Sequence, residues 1–138
     1  MVIKVGETEY EAAFNGFTPI AFSRCFHVVN DNGTKRPKDI SEAVGLITES
    51  LRSVGIPAIT GLLEIFYACI KTANPKFDVP FNDWVAGFPA DSFDMQNGDG
   101  WATDVMHIVE DNFFPSTSDG MDTEGAGKAA AAASEKSK

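Results

Sequence analysis

One stretch governs what this chain can become: Gly61 to Trp84, GLLEIFYACIKTANPKFDVPFNDW. From Ile59 onward, Leu62, Leu63, Ile65, Phe66, Ala68, Cys69 and Ile70 leave only Glu64 and Lys71 clearly polar. A helix that is apolar nearly all the way round must be enclosed by the rest of the protein, so it is expected to be the central post of the core, started by Pro57 and stopped by Asn74-Pro75. Pro80 then sets up a short aromatic helix with Phe81, Trp84, Val85 and Phe88 on one face. Trp84 reads as a core anchor in preference to an exposed ligand platform. Phe22, Trp84, Phe88 and Phe113 are all assigned to packing.

The segments around this post supply its covering. Val2–Val5 and Thr8–Phe14 alternate in polarity about Gly6-Glu7, which fits a two-residue turn with glycine in its first central place. Two strands alone are marginal in water, so Ile3, Val5, Tyr10 and Phe14 are expected to lie on a helical layer. Thr18-Pro19 reads as an N-cap with proline at the first helical position. The helix it opens carries Ile20, Ala21, Phe22, Cys25 and Phe26 and ends at Asn30-Asp31-Asn32-Gly33. Asp39-Ile-Ser-Glu42 has the form of a capping box. It opens an amphipathic helix with Ile40, Val44, Ile47 and Leu51 on its buried stripe, closed by Gly55. A polar linker, 91–100, precedes a last helix with Trp101, Val105, Ile108, Val109 and Phe113 on its apolar face, capped by Asp99, and with an acidic polar face. The fold class is therefore mainly α, a small domain of about five helices with an N-terminal β-hairpin, spanning residues 1–114. Residues 115–138, PSTSDGMDTEGAGKAAAAASEKSK, hold no aromatic residue and are expected to be a disordered, flexible tail.

Eleven phenylalanines and two tryptophans in 138 residues supply enough bulk for a core without disulfides or metal. Cys25 and Cys69 both sit in apolar helical contexts and read as reduced, buried fillers. No basic segment leads into a long apolar run, and no segment reaches the roughly twenty apolar residues of a membrane span. A soluble, cytoplasmic protein is expected. The formal charge of −9 argues against nucleic acid. Arg24, Lys35, Arg36, Lys38 and Arg52 gather early. Asp78, Asp83, Asp91, Asp94, Asp99, Asp104, Glu110 and Asp111 gather late. This lopsidedness fits a basic face of one copy meeting an acidic face of the next, or solvated helix faces that confer solubility.

Chemical signatures are sparse. Asp94-Met-Gln-Asn-Gly-Asp-Gly and Asp119-Gly-Met-Asp-Thr-Glu offer oxygen ligands but not the spacing of a calcium loop. His27 and His107 lack neighbours at metal-ligand spacing, and His107 reads as a helix-surface residue. Ser23 or Cys25 near His27 on one helix makes no triad without a third orienting group. No catalytic, cofactor-binding or metal residues are assigned, no enzyme activity is expected, and the partner-binding residues are left open.

The order of pieces nonetheless resembles one family. An opening Ile-Lys-Val-Gly-x-x-x-Tyr run, two helices, a central LLEIFYACIKTANP helix with Tyr67-Ala68, a Phe81-Asn-Asp-Trp84 segment and an acidic last helix resemble the tail assembly chaperones of long-tailed bacteriophages, over Val2 to about Phe114. The resemblance implies a non-catalytic protein in the host bacterial cytoplasm, absent from the mature virion. Such a protein binds the tape measure protein and keeps it soluble, helps recruit the major tail protein, and self-associates as a homo-oligomer. It also implies a longer form made by ribosomal frameshifting, for which Gly127-Lys128 is compatible with a slippery codon pair. The alternative is a small acidic regulatory or inhibitor protein that binds one host partner.

Overall fold

The computed structural model describes residues 1–94 and 100–114. These fall into two compact units, one of residues Met1–Met106 and one that begins at His107. Helices hold most of the regular structure: α1 (Thr18–Cys25), α2 (Ile40–Val54), α3 (Ile59–Ala73), α4 (Phe81–Ala86) and α5 (Trp101–Phe113), with a 3-10 turn at Ala90–Phe93. Strands β1 (Val2–Val5) and β2 (Thr8–Glu11) form the N-terminal hairpin in antiparallel register, with Ile3 opposite Tyr10 and Val5 opposite Thr8. Gly6 takes φ +60° at its turn, where an added Cβ would also lie 2.9 Å from Pro89 Cγ.

In the first unit, α3 is the post that its sequence demands. Every residue from Gly61 to Ile70 is buried, while Ile59 is half-buried. α1, α2 and β2 pack on it. Gly61 permits the close crossing of α2: a Cβ there would sit 3.0 Å from Ile47 Cγ1 and 3.1 Å from the Ala43 carbonyl. The ring of Phe66 is completely buried among Tyr10 at 5.9 Å, Trp84 at 5.1 Å, Phe88 at 6.5 Å and Trp101 at 5.8 Å. Tyr67, on the next position round, meets Phe26, Phe77, Phe81 and Trp84. Aromatic pairs of this kind, most of them edge-to-face, add about 0.5–1.5 kcal/mol each to area burial, and the cluster ties the hairpin, α3 and α4 together. Trp84 and Phe88 are buried, as is Phe22, so all three are core. Phe93, read from sequence as part of a polar linker, instead packs on Phe88 and Trp101.

Glu64, one of the two polar positions of α3, is buried and bonds Lys38 Nζ at 2.9 Å. The Thr18 hydroxyl, also fully buried, meets the Thr72 hydroxyl at 2.8 Å and fastens α1 to α3. That contact explains why Thr18 is not the N-cap that its sequence suggests. Its oxygen faces inward, Phe17 occupies the cap, and Asn15 makes the turn by accepting the Phe17 N–H at 2.8 Å.

Two further expectations are corrected. The chain after α1 does not run helically to Gly33: Phe26 is extended, and β3 (His27–Val29) pairs with β4 (Lys35–Pro37) around Asn30–Thr34. Gly33 there holds φ +86°, and the Asn30 N–H donates to the Thr34 carbonyl at 2.7 Å. Leu51, placed on the buried stripe of α2, is 39% exposed. Its stripe-mates Ile40, Val44 and Ile47 are buried, but no described element covers the last turn of α2, where Val54 and Ile56 are exposed as well. The Asp39 capping box and the left-handed Gly55, φ +85°, stand as expected.

The described part of the second unit is the end of α5 and Phe114. Ile108 and Val109 are buried, Phe113 is half-buried, and His107, Glu110 and Asp111 are exposed. The Asp99 cap lies outside the described residues, as do the tail 115–138 and Gly127-Lys128 within it. No described helix is long and apolar enough to cross a membrane.

Candidate interaction surface

The nucleophile and base candidates Ser23 and His27 line the same surface groove. Ser23, His27 and Asp39 line one open groove of about 590 Å³, although His27 lies on β3 and not on the helix of Ser23. Ser23 Oγ donates to the Lys38 carbonyl at 2.9 Å. The Asp39 carboxylate accepts from the Ser41 N–H and hydroxyl, and those bonds hold its pKa below the usual carboxylate value. The serine proton and the carboxylate are thus both engaged in fastening the start of α2. Among the described residues no group of three or more His, Cys, Asp or Glu side chains could hold a metal. Of the two oxygen-rich runs, 95–99 and 119–124 lie outside the described residues.

The two thiols differ. Cys69 is completely buried in α3, and burial pushes its pKa up to about 12. Cys25, expected to be buried too, is half-buried, because it faces an opening between α1 and the end of α3. Its pKa is raised by burial, against the nearby Lys71 charge.

The early basic residues are mostly neutralised at home. Arg36 bonds both carboxylate oxygens of Glu42 at 2.8 Å, which with the Asp39 N–H lowers the Glu42 pKa to about 2. Lys38 pairs with Glu64, and Arg52 with Glu49. Among the described residues no carboxylate lies within ion-pair distance of Arg24 or Lys35. A broad basic face does not survive this pairing; what remains near α1 is Arg24, with Lys71 close by.

Around α1 the surface is unusually apolar. Phe17 and Ile20 are exposed at 37% and 49%, and Arg24 places its guanidinium 5.7 Å from the centre of the Phe17 ring. Phe17, Ala21, Arg24, Cys25, Lys71 and Pro75 enclose a cavity of about 240 Å³. Lys71 Nζ donates to the Phe77 carbonyl and lies 5.8 Å from the Tyr67 ring, so its charge meets no carboxylate there. By sequence Ile20 is one of the apolar residues of this helix, and Phe17 has no assigned role. The available signal was density: an eight-residue helix with apolar side chains on every face exceeds what one neighbour can cover. A second exposed apolar patch, Leu51, Val54 and Ile56, lies at the far end of α2.

Tyr67, Phe81 and Trp84 meet in space. Tyr67 lies 5.5 Å from Phe81 and 5.4 Å from Trp84, its hydroxyl donates to the Val79 carbonyl, and Ala68 is buried beside it. Their role in this fold is to lock α4 onto α3. Comparisons with protein-family models, curated proteins and solved structures give no match for this chain.

Proposed function

We propose that this protein is a non-catalytic assembly chaperone of the phage tail type, which binds the tape measure protein, keeps it soluble before tail polymerisation and helps recruit the major tail protein. The observation that carries the reading is a closed aromatic core that nonetheless leaves Phe17 and Ile20 on one side and Leu51, Val54 and Ile56 on another in water. Exposed apolar patches on a small acidic body suit a protein that covers another chain while staying soluble itself. The meeting of Tyr67 with Phe81 and Trp84 supports the same reading, because it gives the family-like pattern a structural cause. On this proposal the protein acts in the host bacterial cytoplasm as a self-associating homo-oligomer, needs no cofactor, and leaves before the virion is complete.

Co-expression with a tape measure fragment tests it. The fragment should remain in the soluble fraction and co-purify with the chain, and light scattering should show oligomers whose size changes with salt. A monomer at high concentration that leaves the fragment insoluble would refute the proposal and favour a regulatory protein with a single host partner.

A further inference from the structure

We infer that the groove between α1 and the end of α3 receives an acidic amphipathic helix, with an apolar anchor side chain against Phe17, Ala21, Cys25 and Pro75 and a flanking carboxylate on Arg24. The inference rests on the client-binding reading above and names the chemistry of the client segment and the place where it docks.

Charge selects the partner. The chain as a whole carries −9, so an acidic partner is repelled over most of its surface. This groove is an exception, since its lining includes two cations and no carboxylate. Arg24 is exposed and meets no described carboxylate, and its contact with the Phe17 ring holds the planar fork beside the apolar lining. A guanidinium so placed suits two-point contact with a carboxylate. Lys71 adds a positive charge behind it, since its only described hydrogen bond is to a neutral backbone carbonyl. The neighbouring groove shares Arg24 but also carries Asp39, charged and fixed as a helix cap, and lacks Lys71, so it is the poorer choice for an acidic segment.

Shape selects the same partner. About 240 Å³ is below the roughly 300–1,000 Å³ typical of small-molecule sites, but accommodates a large side chain presented from a helix. Phe17 at the cap of α1, then Ala21 and either Arg24 or Cys25, follow one another about a turn apart along the groove wall. The depression beside them therefore runs along a helix axis, as the grooves into which a further helix packs do.

The test titrates the full chain with two fluorescent synthetic peptides by anisotropy. Both carry a leucine and phenylalanine face, one flanked by glutamates and the other by lysines. The acidic peptide should bind at least about tenfold more tightly than the basic one, and Arg24→Glu should reverse that order. Phe17→Ser, which removes an exposed apolar wall of the groove, should weaken the acidic peptide, while Val54→Ser, on the last turn of α2 and outside the groove lining, should leave it unchanged. Since Phe17, Arg24 and Val54 are exposed, circular dichroism should show all three variants folded. Equal affinity for the two peptides, or no effect of Arg24→Glu, would overturn the inference. So would loss of self-association in Arg24→Glu without peptide, which would put a second copy in the groove. The co-expression assay separates the two levels. If the wild-type chain and Arg24→Glu both keep the tape measure fragment soluble, the docking site is wrong and the proposed function stands; if wild type fails, the function is wrong and the peptide titration still decides the groove.

Discussion

Removing Lys38 isolates the energetic role of Glu64, the one charged side chain within the fully buried run of α3. The pair Lys38–Glu64 is separated by 2.9 Å, with the two side chains 19% and 11% exposed. At an effective dielectric constant near 20, charges at that distance attract by about 6 kcal/mol, most of which is offset by taking both out of water. Lys38→Met leaves the carboxylate of Glu64 enclosed and without its cation. Breaking a fully buried pair this way costs about 3–5 kcal/mol, and the residual exposure here lowers the expectation to about 2–3 kcal/mol. Glu64→Leu should cost only about 1 kcal/mol, because the longer Lys38 stem can carry its ammonium out to solvent. The double variant should return to within about 1 kcal/mol of wild type, as an apolar pair replaces an ionic one. Urea unfolding followed by the emission of Trp84 and Trp101 gives all four corners of the cycle, with the midpoint shift read at constant slope. If Lys38→Met lay within about 0.5 kcal/mol of wild type, or the double variant were as unstable as the single, the pair would not be a buried interaction in the sense argued.

Two glycines within helices should behave oppositely. Gly61→Ala pushes a methyl against the Ala43 carbonyl and should cost about 1–3 kcal/mol, whereas Gly45→Ala, with nothing within 4 Å, should gain about 0.5–1 kcal/mol, both checked by thermal melting. Glu42 should titrate near 2, not at its ordinary 4.5. Because the folded-state value is the lower one, the Arg36–Glu42 contribution is complete above 4.5 and disappears as pH falls from there towards 2. Carboxyl NMR should show this, and Arg36→Gln should move the Glu42 midpoint upward. A maleimide at pH 8 should label half-exposed Cys25 well before Cys69, whose thiol is enclosed and raised to about 12; equal rates by mass spectrometry would contradict the burial described for α3.

The central helix was legible because its evidence is local: ten consecutive positions without a tolerable solvent face, bounded by proline on both sides. Capping was legible at Asp39 and Gly55 for the same reason. At Thr18 it was not, because the decisive partner, Thr72, lies 54 residues away. The β3–β4 pair was hidden by the shortness of its strands and by a second strand, Lys35-Arg36-Pro37, that buries nothing and so has no alternation to read. Glu64 shows the same limit from the other side: it stood as a polar exception on an enclosed helix, and the lysine before α2 that makes its burial tolerable lies 26 residues away. Leu51 marks where spacing fails altogether. An outward-facing apolar residue and an inward-facing one repeat with the same period, and only the presence of a neighbour distinguishes them.

The β3–β4 arm suggests a practical use. Its residues are almost entirely in water, and it is fastened at its base by Lys38 N–H to the Phe26 carbonyl, by Ser23 to the Lys38 carbonyl and by Arg36 to Glu42. The turn at Asn30–Thr34 therefore offers an insertion point remote from the aromatic core, where an affinity tag or a fluorescent reporter can be spliced into the chain while those three fastenings stay in place.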